Sequence, residues 1–421
     1  MRKGLVKGGL VAALDIGSSK ICCFIARVED DGAPRVVGIG QQISRGLKGG
    51  AIIDMDLAET SLLNAVHAAE QMAGETIDRV VVNLSGGYPA STTVGVEVSL
   101  NGHEVGEADL RRALEHGHQT QVLRQRDDNG RQMIHSIPTG YSIDGNHGIR
   151  DPRGMYGDQL GVDMHIITAA CGAVRNVSTC IQRCHLEPSA FVVSPYAAGL
   201  ACLVEDEREL GVTVIDMGGG TTTIAVFYEN NVIFTDIIPV GGNHVTSDIA
   251  RGLSTPLVHS ERMKTLYGHV IAVPTDENEL IDVPQVGEED NAESQQIPRS
   301  LLVGIIQPRL EETLELVRAR LELSGFDKIA GRRVVLTGGA CQLPGTRELA
   351  SAVLDKQVRI GRPAGVLGLA EATSGPAFAT CAGLLKYAVS GESAVQRDAS
   401  AEAQEMGGLI GRLGHWFREN F

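Results

Sequence analysis

Two stretches of this sequence align without gaps, LDIGSSKICCFIA at residues 14–26 and IDMGGGTTTIAVF at residues 215–227. Asp15 falls on Asp216 in this alignment. In each copy an apolar strand is predicted to deliver the aspartate into a tight turn of glycine and small or hydroxyl residues, and a second apolar strand follows. A single copy is typical of an ordinary β-hairpin, but two matched copies half a chain apart argue against that interpretation.

Turns of this composition suit the binding of phosphate. Glycine lets the backbone approach an anion closely, and the N–H groups of Gly17, Ser18 and Ser19 can point at one oxyanion. An aspartate at the end of the strand suits a hydrated Mg²⁺ ion, which keeps several of its waters. Two such hairpins facing each other would clamp a polyphosphate from both sides, and neither hairpin would do so alone.

Two further glycine pairs extend the pattern. LTGGACQLPG (336–345) ends a predicted strand in Gly338 and Gly339, where a flat ring or a ribose can lie against bare backbone. GGNHVTSDIA (241–250) leads into a predicted helix capped near Asn243, and the N-terminus of that helix would favour an anion. Taken alone, the first pair also fits a simple strand-to-helix turn.

Length and charge bound the possible functions. The chain has 421 residues, with 37 lysines and arginines against 52 aspartates and glutamates, and a net charge of −15. At ~100–200 residues per domain this length predicts two or more domains, and a hydrophobic content of 43% excludes a disordered chain. The acidic balance argues against nucleic acid as the main partner, because phosphate binding draws on clustered Lys and Arg, although a local basic patch remains open.

The expected compartment is reducing. No apolar stretch reaches the ~18 residues needed to cross a bilayer, and Asp15 ends the apolar N-terminal segment too early for a signal peptide. None of the eight cysteines belongs to a CxxC pair. Cys180, Cys184 and His185 can be interpreted as half of a zinc site, but small buried core residues in a cytosolic protein are the favoured interpretation.

Composition also divides the chain. Between about 90 and 165, a polar helix and a glycine-rich stretch predict a compact inserted subdomain. A polar, acidic loop follows at 275–296, then a long helix from about 300 to 324. A helix is predicted over 56–73 from apolar residues at helical spacing, which are Leu57, Leu62, Leu63, Val66, Ala69 and Met72.

This combination resembles the actin, Hsp70 and sugar-kinase superfamily, and most closely the FtsA family of bacterial cell-division proteins. The resemblance runs nearly end to end and rests on LDIGSSK, IDMGGGTTTIAV, GGNHVTSDIA, PRLEETLELV (308–317), VVLTGGA and the final helix. It implies an α/β, actin-like ATPase fold with two duplicated RNase H-like lobes and inserted subdomains. It also implies an ATP-binding scaffold that polymerises into actin-like protofilaments.

The resemblance assigns residues to ATP and Mg²⁺. It implies that Asp15 and Asp216 hold the metal through water, and that Gly242 contributes from the start of its helix. Adenosine contacts are implied for Gly338, Gly339, Glu261 and Lys264, although Lys264 fits equally well as a solvated helix residue. The residues implied to surround the phosphates are Gly17, Ser18, Ser19, Lys20, Gly218, Gly219, Gly220 and Thr221.

One departure from the superfamily concerns hydrolysis. The segment FVVSPYAAGLACL (191–203) resembles the EPTAAALAY stretch of the chaperones, but Ser194 stands where the glutamate would be. A hydroxyl is a poor base at neutral pH, so it cannot readily activate the attacking water. We therefore expect tight nucleotide binding with weak or absent ATPase activity, and assign no catalytic residue.

The family pattern implies a division into domains and partner sites. The insertion at 90–165 would serve self-contact and later divisome membrane proteins. The small subdomain at 248–329 would bind the C-terminal peptide of the tubulin-like protein FtsZ, with Arg299 and Arg309 as partners for it, or as ordinary surface charges. The remaining segments are the first lobe (8–89 and 166–208), the second lobe (209–247 and 330–389), a flexible linker (390–406) and an amphipathic helix (407–421).

The final helix is predicted to lie in a membrane interface. On a helical wheel its large apolar residues share an arc of about 140°, with two arginines beside it. A helix docked on the protein's own core, or on a partner, is the alternative. The family places such a helix on the cytoplasmic face of the inner membrane at the division septum, in contact with lipids. The apolar residues are Leu409, Ile410, Leu413, Trp416, Phe417 and Phe421.

Two other functions use the same fold. A small-molecule kinase needs a catalytic carboxylate in the cleft near Ser194, and the sequence offers none. A chaperone-type ATPase needs a large substrate-binding domain after residue 390, where only a linker and one helix remain. The scaffold is the favoured function.

Overall fold

The computed structural model describes residues 9–127, 130–287 and 295–390. The strands are β1 (Leu10–Ile16), β2 (Lys20–Val28), β3 (Pro34–Ile43), β4 (Leu47–Lys48), β5 (Ala51–Ile52), β6 (Arg79–Leu84), β7 (Ala90–Ser99), β8 (Arg131–Ile143), β9 (Asn146–Ile149), β10 (Gln159–Ala170), β11 (Glu187–Val193), β12 (Val212–Met217), β13 (Thr222–Tyr228), β14 (Asn231–Ile238), β15 (Leu280–Val283), β16 (Gln295–Pro298), β17 (Arg333–Thr337) and β18 (Gln357–Ile360). The helices are α1 (Met55–Ala73), α2 (Glu107–Asp127), α3 (Cys171–Arg183), α4 (Ser194–Cys202), α5 (Glu205–Leu210), α6 (Gly242–Leu253), α7 (Leu257–Tyr267), α8 (Arg299–Ser324), α9 (Thr346–Leu354) and α10 (Ala379–Val389).

Two five-stranded sheets repeat one arrangement. The strand order is β11-β6-β1-β2-β3 in the first and β18-β17-β12-β13-β14 in the second. β1 pairs antiparallel with β2 and parallel with β6, just as β12 pairs with β13 and β17. The copies also share their register, since Asp15 lies opposite Cys22 and Asp216 lies opposite Thr223. The duplicated α/β fold that the family resemblance implies is confirmed.

Helices α4 and α10 pack against each other between the two sheets. Glycine permits this close crossing, because a Cβ on Gly383 would lie 1.7 Å from the Ala197 carbonyl oxygen. One buried cluster extends from Phe24 in the first sheet through both helices to Phe227 in the second. The two lobes therefore share a core at the base of the cleft that separates them.

Helix α1 forms where the apolar spacing predicts it, but only three of the six predicted apolar residues, Leu62, Val66 and Ala69, are buried. Leu57, Leu63 and Met72 are exposed. The buried face consists of Leu62, Val66 and small residues, because α1 lies very close to β3. A Cβ on Gly40 of β3 would lie 1.7 Å from the backbone carbonyl oxygen of Ala65. Close backbone packing leaves room for alanine at this contact and none for larger side chains.

The predicted insertion contains a separate four-stranded sheet, β7-β10-β8-β9, which is covered by α2. This sheet also contacts β14 of the second lobe, where the Ser91 hydroxyl donates to the Thr235 carbonyl (2.9 Å) and accepts from its N–H (3.2 Å). β10 is continuous to Ala170, so it passes through the boundary predicted at residue 165. β10 remains one strand over this length because it pairs with β7 along one edge and with β8 along the other.

The region around 248–329 is mainly helical. Helices α6, α7 and α8 pack together beside the β15–β16 hairpin. α6 begins at Gly242 with Gly241 as its N-cap, so the cap predicted near Asn243 was two residues late. Asn243 instead accepts a hydrogen bond from Ser19 of the first lobe (2.9 Å).

The predicted C-terminal helix lies outside the described residues, as does the linker beyond Ser390. Within the described residues, no helix combines the length and apolar character needed to cross a bilayer.

Candidate functional site

The two aspartate–glycine turns meet across a cleft of about 660 Å³ between the lobes. Every residue that the resemblance assigns to ATP or Mg²⁺ lines this cleft, although these residues come from five separate segments of the chain. They are Asp15, Gly17, Ser18, Ser19, Lys20, Asp216, Gly218, Gly219, Gly220, Thr221, Gly242, Glu261, Lys264, Gly338 and Gly339. Their roles toward a ligand remain predictions.

The turns are alike in hydrogen bonding and touch each other. The Gly17 N–H donates to the Lys20 carbonyl (3.1 Å), and the Gly218 N–H donates to the Thr221 carbonyl (2.9 Å). A Cβ on Gly219 would lie 1.9 Å from the Ser19 hydroxyl oxygen. The facing turns therefore exclude a side chain at this point. The N–H groups of Gly17 and Gly218 are engaged within their own turns, so the prediction that the Gly17 N–H points at an anion is not supported.

Asp15 and Asp216 carry unusual pKa values. Burial raises the pKa of Asp15 to about 7 against the opposing charge of Lys20, with a smaller contribution from Asp216. Burial likewise raises the pKa of Asp216 to about 6, against a hydrogen bond from Thr380 and the charge of Lys20. Asp15 is buried and Asp216 is half-buried, and a divalent cation at this point would favour the charged form of both carboxylates.

Lys20 lies between these carboxylates and an aromatic ring. Its ammonium nitrogen is 3.2 Å from the centre of the Phe378 ring, a cation–π contact. Burial lowers the pKa of Lys20, and the charges of Asp15 and Asp216 oppose that shift. Lys20 is the one positively charged group of this set, and its ammonium is held close enough to interact with the aspartate of each turn.

Lys264 is not a solvated helix residue, because its side chain is only 14% exposed. Its ammonium donates to the Gly242 carbonyl (3.2 Å), the Thr246 hydroxyl (2.9 Å) and the Glu261 carboxylate (2.6 Å). These bonds join the start of α6 to α7 and fix the second-lobe wall of the cleft.

Ser194 begins α4 and is buried in the cleft wall. The Asn83 side-chain nitrogen donates to the Ser194 hydroxyl (3.2 Å), and the Asn83 side-chain oxygen accepts from the Ile16 N–H (2.6 Å). The acidic residues that line the cleft in the described part of the chain are Asp15, Asp216 and Glu261. None of them hydrogen-bonds to Ser194 or Asn83, which bond to each other.

Sequence reasoning missed several residues of the cleft wall. Asn83 is the penultimate residue of β6, and a glycine pair follows the strand at 86–87, as glycines follow the other strands of the site. Gln41 offered no comparable signal, and Asn243 was predicted only as the cap of a helix at this site. Phe378 and Thr380 enter the cleft only because α10 crosses back to the first sheet, which is a tertiary feature.

The arginines predicted for a partner peptide lie outside the cleft, and each already has acidic partners. Arg299 donates to the Tyr267 carbonyl (2.9 Å) and to Glu279 (2.6 Å). Arg309 pairs with Asp248 and Glu312. Both side chains are about a quarter exposed, 23% and 28% respectively. An incoming acidic peptide would therefore compete with carboxylates of the same lobe.

No cluster of three or more His, Cys, Asp or Glu side chains able to hold a metal occurs among residues 9–127, 130–287 and 295–390. Cys180 and Cys184 are free, buried thiols. The interpretation of these cysteines and His185 as half of a zinc site therefore gains no support from their surroundings.

Comparison with known protein families gives two matches. The family model described as cell division protein FtsA matches residues 213–383. The model described as an SHS2 domain inserted in FtsA matches residues 86–168, the region of the four-stranded sheet.

Full-length relatives carry the same description, cell division protein FtsA. One from Agrobacterium fabrum is 46% identical, over 98% of this chain and 95% of the relative. Those from Pseudomonas aeruginosa and Escherichia coli K12 are 34% and 33% identical over 98% of this chain, and over 99% and 98% of their own lengths.

Solved structures share the fold at much lower identity. The PilM–PilN type IV pilus biogenesis complex has a chain that matches with a TM-score of 0.63 at 18% identity, covering 91% of this chain and 99% of its own. MreB5 of Spiroplasma citri bound to ADP matches with a TM-score of 0.54 at 12% identity, covering 93% and 99%. These likenesses establish the actin-like architecture.

Proposed function

Because this chain belongs to the FtsA family of cell-division proteins, with an actin-like fold, we propose that it is an ATP-binding scaffold of the division machinery. In this proposal it polymerises on the cytoplasmic face of the inner membrane at the septum. There it tethers the FtsZ ring and recruits later divisome membrane proteins. The observation that carries the proposal is the pair of turns that face each other across one cleft, with Asp15 and Asp216 beside Lys20.

The donor groups of the cleft fit a magnesium–nucleotide. Mg²⁺ would balance the Asp15 and Asp216 carboxylates, whose pKa values are raised by burial. We propose that Mg²⁺ contacts both carboxylates through water. Lys20 would bind the phosphates, together with those backbone N–H groups of the two turns that make no hydrogen bond within the turn. Gly338 and Gly339 would lie against adenosine, while Glu261 and Lys264 would fix its ribose end.

The cleft is better suited to holding ATP than to hydrolysing it. Ser194 and Asn83 hydrogen-bond to each other where a general base is expected. Neither side chain accepts a proton readily at neutral pH. The bound nucleotide would then act as a switch for assembly, with slow turnover resetting it.

Ser194→Glu is expected to raise the ATPase rate by about tenfold or more, because a positioned carboxylate base contributes ~10²–10⁴-fold in favourable geometry. Steady-state phosphate release measures the effect. Ser194→Gln is the matched control, since it has the same size without a basic oxygen anion. Unchanged rates in the glutamate variant, or equal rates in both, would remove Ser194 from the explanation.

We also propose that the FtsZ peptide docks on the region of α6, α8 and the β15–β16 hairpin. A small groove of about 180 Å³ lies there, and Leu301 is among the residues that line it. Large apolar side chains are exposed on the same elements and on α7, namely Leu257, Val258, Leu280 and Leu301. Arg299 and Arg309, in α8, would supply positive charge to an acidic and apolar peptide.

Sedimentation with lipid vesicles tests the scaffold proposal. The full chain is mixed with phosphatidylethanolamine–phosphatidylglycerol vesicles, with and without Mg²⁺ and ATP. A scaffold pellets with lipid when ATP is present and forms filaments on a lipid monolayer under the electron microscope. A protein that stays in the supernatant and consumes ATP when offered a small-molecule acceptor would be a kinase on the same fold.

A further inference from the structure

The N-terminus of α10 and the residue before it, together the segment 378–380, contact a charged residue from each turn. The Thr380 hydroxyl donates to Asp216 Oδ2 (2.9 Å), and the Phe378 ring lies under the Lys20 ammonium (3.2 Å). Asp216 belongs to the second lobe and Lys20 to the first. Two neighbouring positions of one segment thus contact the charged groups of both lobes.

This segment is anchored on both sides of the contact. Before it, the Pro376 carbonyl accepts from the Gly338 N–H (3.2 Å) and from the Thr337 hydroxyl (3.2 Å). After it, α10 is held against α4 at Gly383, where no Cβ fits. Phe378 and Thr380 are themselves 7% exposed. Neither side chain can move far without moving α10.

A hydrogen bond to one carboxylate oxygen fixes the rotation of the whole group. The remaining lone pairs of Asp216 then point in a defined direction, which a water-mediated metal site requires. Supporting hydrogen bonds of this kind orient metal ligands and typically change affinity by ~10–100-fold when removed. The Phe378 ring acts differently, because it holds a cation that would meet the phosphates directly.

We propose that Thr380 is a positioning residue for Mg²⁺–ATP, which orients Asp216, and that Phe378 holds Lys20 for the phosphates. This inference rests on the nucleotide binding proposed above. It assigns two separable effects to the segment. Loss of the Thr380 hydroxyl weakens only the contribution of Mg²⁺, whereas loss of the Phe378 ring weakens phosphate binding with or without the metal.

The test compares ATP affinity in Mg²⁺ and in EDTA. Thr380→Val removes the hydroxyl at nearly constant volume, and we expect about a tenfold loss of affinity in Mg²⁺ with less than a twofold change in EDTA. Thr380→Ser is expected to restore most of the affinity. Phe378→Leu is expected to lower affinity under both conditions.

The matched control is Thr313→Val, because Thr313 is another buried helical threonine, bonded to the Arg309 carbonyl (2.8 Å).

The outcomes separate the two proposals. If the wild type binds ATP but Thr380→Val has equal losses in Mg²⁺ and EDTA, or none, Thr380 does not position the metal site. Failure of Thr380→Ser to recover affinity leads to the same conclusion. If the wild type itself binds no ATP, the proposed nucleotide function is wrong. Thermal unfolding of each variant checks folding, and Thr380→Ala replaces the valine variant if that protein unfolds early.

Discussion

Asp216→Asn is expected to weaken ATP binding in Mg²⁺ by about a hundredfold, since one of the two carboxylates of a divalent site loses its charge in partly buried surroundings. In EDTA the same variant is expected to bind ATP at least as well as the wild type, because a carboxylate near the phosphates repels them. Isothermal titration calorimetry under both conditions measures the difference.

The duplicated fold provides a second test of the same site. Asp15 occupies the same register position in the first lobe, so Asp15→Asn is expected to reproduce the loss from the other side of the cleft. Asp282→Asn is the matched control, because Asp282 is an exposed aspartate of β15 that bonds only to Gln296 among the described residues. If Asp216→Asn takes up Mg²⁺–ATP as well as the parent, the two-lobe clamp is wrong.

Deletion of residues 406–421 is expected to release nearly all of the protein from lipid vesicles while ATP affinity stays within twofold. The deleted segment carries the predicted apolar arc with Trp416 and Phe417. ATP affinity is retained because the proposed site is built from residues 15–380 and α10 ends at Val389. One short helix binds lipid reversibly, so polymerisation would multiply its effect through avidity.

Single substitutions separate membrane insertion from a general effect of truncation. Phe417→Glu places a charge on the apolar arc and is expected to release the protein. His415→Glu places the same charge on the polar side and is expected to leave most of the protein bound. Vesicle flotation measures both. If the truncated chain floats with vesicles as well as the full chain, this segment is not the anchor.

The turn residues could be predicted from sequence because their signal is local. An aspartate, a glycine and small residues after a strand specify one turn geometry, and the second copy made the interpretation secure. The same holds for Gly338 and Gly339 at the end of β17. The structure brings all of them to one cleft.

Phe378, Thr380 and Asn83 could not be predicted in the same way. Thr380 reaches Asp216 across 164 positions of the chain, and Asn83 reaches Ser194 across 111. The first contact depends on how α10 crosses between the sheets, and the second on the pairing of β6 with β11, which leads into α4. No local pattern encodes either arrangement. In helix α1 the helix itself was predictable from the sequence, but the exposure of Leu57, Leu63 and Met72 was not, because it follows from close backbone packing against Gly40.

A crystal structure of the chain with Mg²⁺ and a non-hydrolysable ATP analogue tests the clamp most directly. The account predicts one nucleotide between the turns at Gly17 and Gly218, with a hydrated metal ion facing both Asp15 and Asp216. Nucleotide density that contacts only one lobe, or lies elsewhere on the molecule, would contradict it.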